Sequence, residues 1–227
     1  MSFYFVLKSN FLSSKRYSYA LTVSFVLLGL CLILSRFYWQ GYLSLEASVS
    51  NVFSQGEYWR LFTTSFLHGS LDHLLSNALM LGLMSYFIIS HYGLVIYPLL
   101  SFVMGGVVNF LVLYFARYDI TIVGASGVVY FLWGFWLILY LFIQRHIPLM
   151  RRLINAFAIG LIVLVPTSYS ATTSYLAHFL GLVLGIINGV CYYWFYKREI
   201  LSKEKYEVVV EADHLPLDVM TEKSDYN

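Results

Sequence analysis

Apolar and polar positions divide the chain into six long apolar runs, at roughly 18–35, 71–90, 92–116, 121–143, 150–167 and 174–196. About 20 helical residues cross about 30 Å of hydrocarbon. Each run therefore predicts a membrane-spanning helix, the fifth marginally. Residues 36–70 do not form a span. They mix aromatic and apolar residues with few charges, and are expected to lie in the interface with their apolar face in lipid. Residues 1–17 precede the first run as a short arm carrying Lys8, Lys15 and Arg16. No small-residue cleavage site follows that run; Ser35-Arg36-Phe37-Tyr38-Trp39 does. The first helix is therefore expected to remain uncleaved, anchored by interfacial aromatics. Residues 197–227 form a tail, expected to be flexible, that from about 206 carries six acids against Lys223.

Composition sharpens this picture. Of 227 residues, 59% are hydrophobic and 11% charged, against about 45–50% and about 25% in a soluble domain. Too little polar surface is available to cover a globule. A disordered chain, a nucleic-acid-binding domain and a typical soluble enzyme are all excluded. The predicted fold class is an all-α polytopic membrane protein, a bundle of six transmembrane helices over residues 18–196. Cys31 and Cys191 both fall in apolar runs, so neither a disulfide framework nor a cysteine metal site is expected.

Charge orients the bundle. Eleven of the fourteen Lys and Arg residues lie in the N-terminal arm, between the fourth and fifth runs (Arg145, Arg151, Arg152) or in the tail. The other side holds only Arg36, Arg60 and Arg117. Positive charge favours the cytoplasmic side, so both termini are expected there. The second, fourth and sixth helices then run inward from the outer face.

Polar groups are costly in hydrocarbon, and four of them gather at the outer ends of those inward-running helices. The second carries His73 and Asn77, with His68 just before it, the fourth Gly124-Ala125-Ser126-Gly127, and the sixth Ala177-His178. Counted from the start of its run, Ser126 is expected about 8 Å below the outer boundary, with His178 at similar depth. Ala177, Gly181, Gly185 and Gly189 make a small-residue stripe, and such stripes let membrane helices approach closely. Each residue also has a plainer reading: a lone Ser bonds its own backbone, a lone His or Asn is an interior hydrogen-bond partner, and the glycines pack the bundle. Four such residues at one depth favour a joint role.

A serine hydroxyl is a weak nucleophile until a base takes its proton. His178 is the histidine at matching depth, and no carboxylate is placed to orient it, so a Ser–His dyad is expected rather than a triad. Tyr130, four positions after Ser126, shares its helix face and is placed to pack on the imidazole. His73 and Asn77 share a face and could donate to an oxyanion, as could the unpaired N–H groups at the helix start. Gly124 and Gly127 would admit a substrate backbone. Metal binding is disfavoured because His68 and His73 are five apart, which on a helix points them about 140° away from each other. No cofactor is expected.

Trp59-Arg60, then His68, His73 and Asn77, then Gly124-Ala125-Ser126-Gly127, then Ala177-His178 with Gly181 and Gly185: this ordered set resembles the rhomboid family of intramembrane serine proteases, over roughly residues 55–190. The resemblance implies a six-helix core with a water-filled cavity open to the outer face. It implies Ser126 as nucleophile, His178 as general base, and His73 and Asn77 at the oxyanion hole. Trp59 and Arg60 fall in the structural outer loop. The implied partners are single-pass membrane proteins, cut in or near the span, and the lipid bilayer; no nucleic acid is implied. The expected location is a bacterial cytoplasmic membrane. A silent rhomboid-like protein that binds membrane clients remains the alternative, although such relatives typically lack the serine or the histidine. A channel or transporter would predict paired midplane charges or matched broken helices, which the sequence does not display.

The charge asymmetry makes a direct prediction. A topology reporter fused after Asn227 reads as cytoplasmic, and one inserted near residue 48 reads as external. Protease protection with the opposite result overturns the orientation.

Overall fold

The computed structural model describes residues 2–164 and 174–211. Seven α-helices follow one another: α1 Ala20–Trp39, the short α2 Arg60–Thr63, α3 Leu71–Tyr92, α4 Ser101–Tyr114, α5 Ser126–Ile143, α6 Leu149–Leu164 and α7 Tyr175–Ser202. Among the described residues, five helical segments are long and apolar enough to cross a membrane; α4 counts with the preceding turn, as Val95–Tyr114. That turn holds Pro98, and Tyr97 leaves helical geometry (φ −134, ψ 128), the kink a helix makes where proline removes a backbone donor. The sixth helix, α6, has 16 described residues. The end of the fifth apolar run lies outside the described residues.

The all-α expectation needs correction. Two small antiparallel ribbons accompany the helices: β1 Ser2–Ser9 with β4 Lys205–Glu211, and β2 Ala47–Ser48 with β3 Thr121–Ile122. The tail expected to be flexible from residue 197 instead continues α7 to Ser202 and then pairs as a strand over 205–211. Enrichment in β-branched and aromatic residues (Tyr4, Phe5 and Val6 against Val208 and Val209) is the local reason. The pairing also puts both terminal segments at one end of the bundle. Asn10 Nδ2 donates to Gln144 Oε1 at 3.1 Å and Arg145 pairs with Glu204 at 2.8 Å, so the α5–α6 connection lies at that end too.

Helix α5 is the centre of the molecule. It packs against α3, α4, α6 and α7, and Phe131, Leu132, Phe135 and Leu139 are fully buried along it. Its contact with α7 is backbone against backbone. A Cβ added to Gly181 would meet Gly127 O at 2.4 Å, one on Gly185 would meet Phe131 O at 2.1 Å, and one on Gly134 would meet Leu182 O at 2.4 Å. Small residues are thus required from both sides of the seam. On the other flank, Gly105 and Gly106 of α4 lie against Val128 and the Phe62 ring.

Residues 36–70 are more ordered than an interfacial loop requires. Residues 36–39 complete α1. The remainder builds β2, a wide helical turn at Ser50–Ser54, α2 and a tight turn at Thr64–Phe66. Ala47, Val52 and Leu61 form a small core with Leu113 of α4. Arg60 organises it: Nε bonds Glu57 Oε2 at 2.6 Å, Nη1 donates to Ser44 O at 2.6 Å and Glu46 O at 3.2 Å, and the guanidinium lies 4.5 Å over the Trp59 ring.

The seam between α5 and α7 predicts that Gly185→Ala destabilises the fold by about 1–3 kcal/mol, the range for overpacking, because its new methyl meets a carbonyl that cannot rotate away. Gly29→Ala on α1, with nothing within 4 Å of the added methyl, should be neutral or gain up to about 1 kcal/mol. Reversible unfolding in mixed micelles checks both.

Candidate active site

At the end of the bundle opposite the terminal ribbon, a cavity of about 210 Å³ opens between α3, α4, α5 and α7. His73 and Asn77 line it from α3, Ser126 and Gly127 from α5, and Ala177 and His178 from α7. The segment Thr121–Gly124 forms a further wall, and Gly69 and Thr121 make an exposed rim.

Each residue is set there by a local device. Ser70 caps α3 by accepting from His73 N at 3.2 Å, and Ser174 caps α7 by accepting from Ala177 N at 3.3 Å. Helix α5 has no such cap. Ala125 occupies the cap position and offers no side-chain acceptor, and the helical ladder starts with Val129 N to Ala125 O at 2.9 Å. The N–H groups of Ser126, Gly127 and Val128 precede that ladder, at the end where the helix dipole favours negative charge.

The helical count behind the depth expected for Ser126 does not hold. It is the first residue of α5, not the sixth of a continuous span. Residues 121–122 pair as a strand with 47–48, and Gly124 at φ +126 turns the chain into the helix. Thr64 fixes this approach from two sides: its Oγ1 donates to Ile122 O at 2.5 Å and its carbonyl accepts from Gly124 N at 3.1 Å. The helical-wheel argument on His68 and His73 also fails, because His68 precedes α3. The chain turns back at Gly69, and the two rings meet edge to face at 5.2 Å. His68 is buried, with Nδ1 3.4 Å from Ser35 Oγ and its carbonyl bonded by Trp39 Nε1 at 2.6 Å. Burial, and secondarily His73, lower its pKa to about 3, so it is a neutral strut between α1 and α3. Among the described residues, no group of three or more His, Cys, Asp or Glu gathers as metal ligands do.

The imidazole of His178 is almost wholly buried and lies flat on the Tyr130 ring, with centroids 4.0 Å apart and planes at 11°. Gly127, next to Ser126, touches Gly181, one turn beyond His178. The backbone seam thus brings the serine and histidine helices together at the cavity floor. The His73 ring packs against Gly124, where an added Cβ would lie 2.9 Å from its Cε1. Asn77 is buried and donates from Nδ2 to His73 O at 3.1 Å; the second hydrogen of that nitrogen is still available as a donor.

Asn109 went unnoticed in the sequence. It lines the cavity from α4 and donates to Leu61 O at 2.8 Å and Ser65 Oγ at 3.4 Å, tying α4 to the outer loop. A lone amide within an apolar run was the available signal.

Among the described residues, five membrane-length apolar helical segments, with a cavity holding His73, Asn77, Ser126 and His178 at one end, define a polytopic integral membrane protein. The chain belongs to the rhomboid family: the Rhomboid domain matches residues 55–195, more than half of its length. Comparison with curated proteins finds no match.

The cavity wall generates a prediction about Gly124. Gly124→Ala forces a methyl into His73 at a φ that L residues rarely adopt, and should cost about 1–3 kcal/mol. Gly69→Ala, whose methyl comes no closer than 3.7 Å to Val123, should leave the unfolding midpoint nearly unchanged.

Proposed function

We propose that the protein is an intramembrane serine endopeptidase that cleaves single-pass membrane proteins in or beside their spans through a Ser126–His178 dyad. The observation that carries this reading is that Ser126 and His178 line one cavity, with Tyr130 stacked on the imidazole. Residues 18–196 are the catalytic membrane domain in this reading, with 1–17 and 197–227 on the cytoplasmic side.

In the proposed reaction, His178 takes the Ser126 Oγ proton as the oxygen attacks the scissile carbonyl. The C=O electron pair moves onto oxygen, and the resulting oxyanion is held by the free N–H groups at the start of α5, by the spare Asn77 hydrogen and by His73. Collapse breaks the C–N bond, and the imidazolium returns its proton to the leaving amine. Water, deprotonated by the same imidazole, then hydrolyses the acyl ester and restores the serine. Among the described residues no carboxylate bonds the ring, and flat stacking on Tyr130 orients it instead. Gly124 and Gly127 line the cavity beside Ser126, but the side-chain space at each is taken by His73 and Val108 rather than left open to a substrate. An enclosed cavity of this size admits a short unwound segment, which favours substrates whose helices break at small residues.

A silent client-binding protein is the competing reading, and labelling with a fluorophosphonate serine probe separates the two. Wild-type protein should label and should cleave a single-pass substrate. Ser126→Ala should lose both while remaining folded, since deleting one hydroxyl there costs about 1 kcal/mol or less. His178→Ala should label only weakly, and Asn77→Ala should slow cleavage up to about 10²–10³-fold. Ser76→Ala, whose hydroxyl bonds His73 O within its own helix, should be unaffected. Unchanged cleavage by Ser126→Ala ends the catalytic claim.

A further inference from the structure

The ribbon formed by β1 and β4 serves no part of the proposed site, and lies at the opposite end of the bundle. Its register is Phe3 with Val210, Phe5 with Val208 and Leu7 with Tyr206 on one face, and Tyr4 with Val209 and Val6 with Glu207 on the other. Directly opposed residues share a face and successive residues alternate, so the described side chains of the first face, Phe5, Leu7, Tyr206 and Val208, are all apolar or aromatic. The second carries the ion pair of Lys8 with Glu207 at 2.7 Å. On the apolar face Phe5 is 74% exposed, Val208 51% and Tyr206 54%. A two-stranded ribbon is marginal in water and needs a hydrophobic face covered, yet none of the described residues covers this one.

Three observations identify what does. First, the ribbon base is fixed to the bundle: Arg145 binds Glu204 at 2.8 Å, the Tyr206 hydroxyl donates to Glu204 Oε2 at 2.8 Å, and Asn10 bonds Gln144. Second, α7 leads directly into β4, and it presents exposed Trp194, Phe195 and Tyr196 to its surroundings just before it ends. Such aromatics mark the membrane–water interface. Ser202 lies six residues beyond Tyr196, about 9 Å along the axis, so the ribbon begins at headgroup level. Third, Lys197 and Arg198 fall in that interval and Lys203 just beyond it, and basic residues beside a span attract anionic headgroups.

We propose that the ribbon is a membrane-docking element: its Phe5–Leu7/Tyr206–Val208 face lies on the termini-side leaflet, held by apolar burial and by anionic lipid at the adjoining lysines and arginine. The bilayer is its occupant by continuity, because the aromatic belt of α7 already sits in that interface. Docking clamps the first and last strands against the membrane and restrains α7, whose other end carries His178. The proposal is independent of the catalytic reading.

Site-directed spin labelling of the full chain tests it. With Cys31 and Cys191 replaced by alanine, labels are placed singly at Phe5→Cys and Val208→Cys, and at Val6→Cys and Val209→Cys. The variants are reconstituted in vesicles of phosphatidylethanolamine and phosphatidylglycerol. Relaxation by oxygen, which concentrates in lipid, is compared with relaxation by a water-soluble nickel chelate. The oxygen-to-nickel ratio should be several-fold higher at positions 5 and 208 than at 6 and 209. Equal, nickel-dominated relaxation on both faces would mean a ribbon standing in water and would overturn the proposal. Protection from both reagents at 5 and 208 would mean a protein partner or a second copy and would overturn it too. Oxidative cross-linking of Tyr4→Cys to Val209→Cys reports separately that the strands are paired; without that cross-link the ribbon itself, and the proposal with it, falls.

Discussion

Contact between the backbones of α5 and α7 is the constraint on which the rest of the molecule depends. Lipid offers no hydrophobic drive between helices, so association rests on close van der Waals contact. Here carbonyls of α5 at Gly127 and Phe131 occupy the space that side chains would take at Gly181 and Gly185. Because Ser126 adjoins one end of this seam and His178 lies one turn from it, the same contact that holds the bundle also fixes how far apart the two groups can be. Any bulk in the seam would loosen the fold and separate them together.

A second constraint acts on the approach to α5. The ribbon of β2 with β3, the two bonds of Thr64 and the turn at Gly124 end the strand and start the helix at Ser126. This puts the hydroxyl and the free N–H groups of the first turn at one place. Ala125 leaves those donors uncapped, whereas an Asp or Ser side chain there would satisfy them. The outer loop is the scaffold for this arrangement, through Arg60 and Asn109, neither of which reaches the serine.

Much of this was legible from the chain alone. The apolar runs marked five of the helices to within a few residues, since hydrocarbon imposes a length and a composition that ordinary folds do not. Family membership was carried by the ordered polar residues at three helix ends, and charge asymmetry agrees with the common side of both termini. Illegible were features made by pairing at a distance. The strand at 121–122 sits within an apolar run and reads as helix until its partner at 47–48 is known. Residues 205–211 read as a polar tail until paired with residues 2–9. The contact of His68 with His73 depends on a chain turn that a helical wheel cannot contain.

By itself, then, the sequence determined the class of the protein, the number of apolar segments, their relative direction and which few polar residues had to be accommodated in a membrane. These are properties of single segments against a solvent, water or lipid, and each can be judged without knowing its neighbours. Only the tertiary structure decided that Ser126 opens its helix, that Tyr130 lies flat on His178, that Asn77 keeps one amide hydrogen spare and that Asn109 belongs to the cavity. Those are properties of distances between segments, set by a few backbone contacts at glycine and by hydrogen bonds from distant loops. No periodicity along the chain encodes them.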